Sequence, residues 1–299
     1  MKVTRCLVVV NGFFGDIAFS TSIARKIKQE KQYDAVDYLI GLPQMIELLQ
    51  NDTNIDQVFP SATPSPYPQL PMDTTAYNKV IQVNQMHFQV PPPTQMQVEA
   101  GIRNPDSEYF LFTNNEYDQI AQDLIAQIKT EHGKPVVCVL SNWEERSFLF
   151  SKEQYNAGVD VPNLGYGGKH RNIQQIVEQL SEHLSLLEVG FPSNTSQLST
   201  MQIPTNHQKS ILFECSLMKY CDAFIGAEGG LCNLAAGVGC KTIITSDFVH
   251  QVYGPNGSVK KIQQPALGPA KYFPNVGHIE LDPYLTDEEV AQQIINHFK

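Results

Sequence analysis

The chain of 299 residues carries 21 Lys plus Arg against 31 Asp plus Glu, a formal net charge of −10, with 42% hydrophobic and 17% charged residues. That length suits two domains of about 150 residues, each able to bury its own core, and the balance excludes long disordered tracts. No Lys/Arg run exceeds two, which excludes duplex DNA or RNA as a partner, because a polyanion needs a basic footprint to displace its counterions.

The first apolar run, Cys6 to Val10, reads as a parallel strand buried on both faces. It follows a basic start and so superficially resembles a signal peptide, but it stops at Asn11-Gly12, too short for a secretory segment. No apolar run of 18 residues follows, so a cytoplasmic protein with at most a peripheral membrane contact is expected. Asn11 to Asp16 breaks the strand, and Ile17 to Lys28 continues as a helix with Ile17, Ser20, Thr21, Ala24 and Ile27 on one side. Asp16 is expected at the helix N-cap, a position aspartate favours. A second reading makes it a carboxylate at the C-terminal end of the first strand, where open α/β sheets place ligands.

Val36 to Gly41 reads as a second strand and Pro43 to Leu49 as a helix with proline in its first turn. Asn51 to Phe59 turns into a short third strand. Residues 60–71 hold five prolines and cannot be regular structure. Lys79 to Asn84 is strand-like. Thr94 to Ile102 forms a short helix after Pro91-Pro92-Pro93, with Thr94 and Gln97 as a capping box. Long loops in a compact domain are usually functional, so substrate specificity is expected from residues 60–110. Thr113 and Glu116 form a second capping-box pattern ahead of a helix with Ile120, Leu124, Ile125 and Ile128 in helical spacing. The polar stretch Thr130 to Pro135 is the expected linker, giving domains 1–132 and 133–299.

The second half repeats the alternation. Val136 to Leu140 is a strand, followed by Ser141 to Arg146, and Asn163 to Lys169 is Gly-rich and basic. Asn172 to His183 is a helix, Leu184 to Val189 a strand, Ile211 to Tyr220 a helix and Thr242 to Thr245 a strand. A capping box at Thr286 and Glu289 opens a final helix that buries Val290, Ile294, Ile295 and Phe298. Between these lies the stretch Asp222 to Gly239: an apolar strand, the small-residue turn around Glu228-Gly229-Gly230, then an Ala/Leu-rich helix. The N–H groups of Gly229, Gly230 and Leu231 are unpaired donors at the positive end of that helix, a geometry that cradles phosphate. Packing glycines in a βα turn are the alternative, and spacing alone leaves both open. The six cysteines form no C-x-x-C pair and read as reduced core thiols. None of the eight histidines has metal-ligand spacing, so no metal site is expected.

The first strand with Gly15-Asp16, the helix containing Thr21, the stretch Asn54-Ile55-Asp56-Gln57-Val58 and the run Phe224 to Gly239 together resemble the ADP-heptose:lipopolysaccharide heptosyltransferases, glycosyltransferase family 9. The paired motifs lie about 210 residues apart in the right order. The resemblance implies an α/β protein of the GT-B fold, two Rossmann-like domains facing a cleft, acting as an inverting glycosyltransferase without metal. The partners it implies are a nucleotide-sugar donor, of which an ADP-linked sugar is one candidate, and a glycan, lipid-glycan or protein acceptor; no further cofactor is implied. Asp16 is then the general base, with Asn11, Phe13 and Phe14 beside it on the acceptor side. Lys169, Glu228, Gly229, Gly230, Leu231 and Asn233 bind the donor.

The chain also departs from the family pattern. Glu228 stands where the family usually has Asp, Asn233 where it has His, and Ser193-Asn194 where an acidic residue meets the ribose. Asparagine can donate to a phosphate oxygen but carries no charge. Two alternatives therefore stand beside transfer: a nucleotide-sugar epimerase, which needs no acceptor, and a non-catalytic nucleotide- or glycan-binding module.

Overall fold

The computed structural model describes residues 3–62, 64–65, 68, 73–83, 91–140, 173–190, 200–201, 203, 210–226, 229–245, 249–253, 259–263, 278–281 and 285–299. The first half contains β1 (Arg5–Val10), α1 (Phe14–Gln29), β2 (Ala35–Ile40), a 3-10 turn (Pro43–Met45) leading into α2 (Ile46–Leu49), β3 (Gln57–Pro60), β4 (Lys79–Val83), α3 (Pro92–Glu99) and α4 (Asn115–His132). The second contains β5 (Val136–Leu140), α5 (Ile173–Ser181), β6 (Ser185–Val189), α6 (Ile211–Tyr220), β7 (Ala223–Gly226), α7 (Gly230–Gly237), β8 (Thr242–Ile244), β9 (Val249–Tyr253), β10 (Val259–Gln263), β11 (Ile279–Glu280) and α8 (Asp287–His297).

Two parallel sheets result. The first has the order β3-β2-β1-β4, with Val8 opposite Tyr38 on one side and Ile81 on the other. The second has the order β11-β8-β7-β5-β6, with Cys138 between Leu187 and Phe224. Strand order therefore reverses between β1 and β4 in the first sheet and between β5 and β7 in the second. Such reversals open a crevice at the carboxyl ends of the strands, where open α/β sheets take their ligands. An antiparallel hairpin of β9 and β10 stands apart from both sheets; the sequence reading contains no counterpart to it.

Side-chain alternation along each central strand divides the core. Cys6, Val8 and Val10 of β1 and Cys138 of β5 join one apolar cluster that also takes in α1, α6 and α7, so the space between the sheets is continuously packed. Leu7 and Val9 face the outer side of the first sheet with Leu39. Val137 and Val139 face the outer side of the second, with Ile176 and Val177 of α5 and Val290 and Ile294 of α8. Burial on both faces is why these strands read as unbroken apolar runs. Helix α4 packs on α6 of the second sheet through Asp118, which meets Lys219 Nζ at 2.7 Å and accepts from Ser216 Oγ and Tyr220 at 3.0 Å. Burial raises the Asp118 carboxyl, and these donors, with Thr113, outweigh it and hold the group below its ordinary value.

Three cap expectations meet different outcomes. The Thr286 box forms, with Glu289 N donating to Thr286 Oγ1 and Thr286 N to Glu289 Oε2. The Thr113 box gives way to Asn114, whose side chain accepts from Tyr117 N at 2.8 Å. Thr94 and Gln97 cap nothing: α3 begins on Pro92 and Pro93, which lack N–H groups to satisfy, and both polar side chains turn to Asp106. All six cysteines are free thiols. Among the described residues no helix is long and apolar enough to cross a membrane.

Candidate active site

Chain reversal after β1 sets the first half of the site. Asn11 N donates to Val83 O of β4 at 2.8 Å, which fixes the strand end beside the switch point. Gly12 then adopts φ +151°, and a Cβ there would fall 2.4 Å from the Asp16 carboxylate. Only glycine combines that backbone with so close an approach. Helix α1 consequently starts at Phe14, with Phe13 at its N-cap.

Asp16 thus lies in the third helical position and not at the N-cap, because the turn at Gly12 starts the helix early. Its Oδ2 reaches back to accept from Phe13 N at 2.8 Å. Burial raises the Asp16 carboxyl above its ordinary value, against the N–H groups of Phe13 and of Asp16 itself, which pull it down. Phe13 projects outward, 51% exposed, at the mouth of the turn. Phe14 packs half-buried on the core. Thr21, further along α1, spends its hydroxyl on Ala18 O and Phe110 O. Asp56 of the third-strand motif ties the sheet together, accepting from Val36 N and Lys28 Nζ at 2.7 Å.

Strand β7 delivers the second half. It ends at Gly226, and Gly229 caps α7 with φ +159°, a conformation L side chains rarely adopt. The N–H of Asn233 bonds Gly229 O at 3.0 Å, so the donors of Gly229, Gly230 and Leu231 precede the first intrahelical bond. Gly190, at the end of β6, lies under Leu231, whose Cδ1 would stand 3.0 Å from an added Cβ. Gly190 N also donates to Glu214 Oε2 at 3.2 Å. Burial pushes that carboxyl up to about 7, opposed by the Gly190 bond.

The two halves touch. A Cβ on Gly230 would lie 2.9 Å from Phe14 Cβ, and one on Gly15 would lie 2.7 Å from Asn233 Nδ2. The first turns of α1 and α7 therefore abut, each at the switch point of its own sheet. Asn233 is 5% exposed, its amide lies against Gly15, and its Oδ1 has no hydrogen-bond partner among the described residues. Asp16, Asn11, Phe13, Phe14, Gly229, Gly230, Leu231 and Asn233 are thus brought to one interface. Lys169 and Glu228 lie outside the described residues, as do the stretch Ser141 to Arg146 and Ser193-Asn194. No group of three or more potential metal ligands occurs among the described residues. The sequence reading missed Tyr109, whose hydroxyl bonds Asn233 O at 2.7 Å. Its neighbours Phe110, Leu111 and Phe112 are all apolar and hide the alternation that turns it inward.

Two Rossmann-like units with facing switch points define the GT-B fold class. No protein-family model matches the chain, and no curated protein matches it in sequence. Solved structures do. A family 9 glycosyl transferase from Veillonella parvula matches with TM-score 0.59 at 11% identity, over 99% of both chains. The E. coli ADP-heptose lps heptosyltransferase II matches with TM-score 0.55 at 11% identity, over 99% of this chain and 98% of the other. The E. coli heptosyltransferase WaaC, solved with ADP-2-deoxy-2-fluoro heptose, gives 0.53 and 11% over 98% and 100%. The chain shares the GT-B fold of these glycosyltransferases from end to end.

Proposed function

We propose that this protein is an inverting, metal-independent glycosyltransferase of the heptosyltransferase type. It moves a sugar, with heptose the leading candidate, from a nucleoside-diphosphate donor to a hydroxyl of a glycan, lipid-glycan or protein. The observation that carries this reading is the abutment of the first turn of α1, which carries Asp16, on the first turn of α7, each at the switch point of its own sheet. ADP is the first nucleotide to test, since the structural neighbours include an ADP-heptose heptosyltransferase and a heptosyltransferase solved with ADP and with an ADP-linked fluoro-heptose.

In this mechanism the acceptor hydroxyl donates to Asp16, and its oxygen attacks the anomeric carbon opposite the diphosphate. The new C–O bond forms as the bond to the diphosphate oxygen breaks with its electron pair, and the proton passes to the carboxylate. A carboxyl raised by burial is a better base than an ordinary aspartate. The charge that develops on the leaving group falls to the N–H groups at the start of α7, which need no reorganisation to receive it. Lys169 and Glu228 complete the proposed donor set, and Phe13 and Asn11 the acceptor side. The free thiols accord with a cytoplasmic location.

The test is Asp16→Asn, which keeps the shape and an acceptor for Phe13 N. Transfer should fall by at least about a thousandfold, within the range a positioned general base supplies, while donor affinity holds and EDTA leaves the wild-type rate unchanged. Transfer near the wild-type rate would sink the base assignment. The second reading, a binding module without turnover, draws on Asn233, which is buried against Gly15 where the resembled family usually has a histidine. It predicts nucleotide binding with no product on any acceptor.

A further inference from the structure

Residues Glu108–Phe112 cross the gap between α1 and α7 as an extended strap. Tyr109 and Leu111 point inward and are buried, whereas Phe110 and Phe112 face solvent. The strap grips both helices. On α1, the Tyr109 ring meets Phe19 edge-on, with centroids 4.9 Å apart at 89°, and Thr21 Oγ1 donates to Phe110 O at 3.1 Å. On α7, the Tyr109 hydroxyl donates to Asn233 O at 2.7 Å, and Leu111 N donates to Gly237 O at 2.9 Å. Gly237 leaves room for the ring: a Cβ there would lie 2.9 Å from Tyr109 Cε2.

The two Tyr109 contacts, at Phe19 and at Asn233 O, fall within the first two turns of α1 and α7, behind the helix starts that form the candidate site. Asn233, held at its carbonyl by Tyr109, is the residue whose amide packs on Gly15, next to Asp16. We propose that Tyr109 is a positioning residue that sets the spacing between the first turns of α1 and α7. Resting on the transferase reading above, this makes Tyr109 the gauge of the distance between base and leaving group. In a displacement whose base sits on one domain and whose leaving group sits on the other, that distance decides the rate; a misplacement of about 1 Å can cost about a hundredfold. The phenol suits the task because its ring is locked between Phe19 and Gly237, so its hydroxyl is aimed by packing.

Tyr109→Phe removes the hydroxyl and keeps the ring. Hydrogen–deuterium exchange on the full chain should then rise about tenfold or more across α7 and in the first turn of α1, with α4 and α8 as in wild type. With a panel of ADP-, UDP- and GDP-sugars, the active pairing should lose about tenfold in kcat while KM for the donor changes less than about threefold, because the cradle itself is intact. Phe112→Ala, on the outward face of the strap, should change neither. Wild-type exchange in α7, exchange raised equally in every helix, or an undiminished kcat would each overturn the proposal. A wild-type protein inert with every donor would instead remove the transferase reading, and the exchange result would still decide whether Tyr109 couples the helices.

Discussion

Asp16 is under opposed forces: first-turn N–H groups favour its charged form, and burial, the larger effect, opposes it. Since its folded pKa lies above the ordinary value, the ionised side chain costs stability at neutral pH, and that cost vanishes once pH falls below the unfolded value. Asp16→Asn should therefore melt at or above the wild-type midpoint at pH 7, with the two converging near pH 3.8; a clear loss at pH 7 would make Asp16 a cap only. Glu214 gives a larger effect of the same sign. Its carboxyl rises from 4.5 to about 7, worth about 3 kcal/mol at about 1.4 kcal/mol per unit. The stability penalty is absent below about pH 4.5, grows through pH 7 and is complete above it. Glu214→Gln should accordingly be the more stable protein at pH 8 and lose that advantage at pH 4.5, as denaturant titrations at the two pH values would reveal. The sequence put Asp16 at the start of α1 but misjudged its place there, because the cap signal of an aspartate does not say whether it caps forward or reaches back. Glu214 gave no signal at all: tertiary burial raises its carboxyl, and the Gly190 N–H that opposes the rise lies 24 residues away, just past β6.

At the scale of elements, the contact between α1 and α7 depends on two glycines with neighbours where side chains would be. Gly15→Ala should cost about 1–3 kcal/mol, as overpacking does, since Asn233 Nδ2 stands 2.7 Å from the new methyl. Asn233→Ala in the same chain should recover much of it, so that a double-mutant cycle gives a coupling beyond the additive range of about 0.5 kcal/mol. Additivity would mean the two turns do not touch. Caps offer a simpler check: Asn114→Ala should cost about 1 kcal/mol, whereas Thr113→Ala leaves the cap bond at Tyr117 intact. The central strands and amphipathic helices were legible because burial on one or both faces leaves a period in the sequence. The strap was not, since Tyr109 to Phe112 is apolar throughout and only the backbone decides which side chains turn inward. Nor was the β9–β10 hairpin, where His250, Gln251, Lys260 and Lys261 interrupt any alternation.

On the scale of the whole molecule, two motifs about 210 residues apart become one interface because each sits at the switch point of its own sheet. Sequence could pair them only through a family likeness; topology supplies the physical cause. In the proposed transferase this interface receives a nucleoside diphosphate at the start of α7. Thermal denaturation with ADP, UDP, GDP, CDP and CMP, each with EDTA, tests it most directly. Ligand at about a hundred times its dissociation constant stabilises by about 2.7 kcal/mol, a rise of about 5 °C or more at this size. One diphosphate should produce that rise without metal, in wild type and in Asp16→Asn alike, and Gly230→Val, which drives a side chain toward Phe14, should abolish it. An unchanged midpoint with every nucleotide, or a shift that survives in Gly230→Val, would contradict the account.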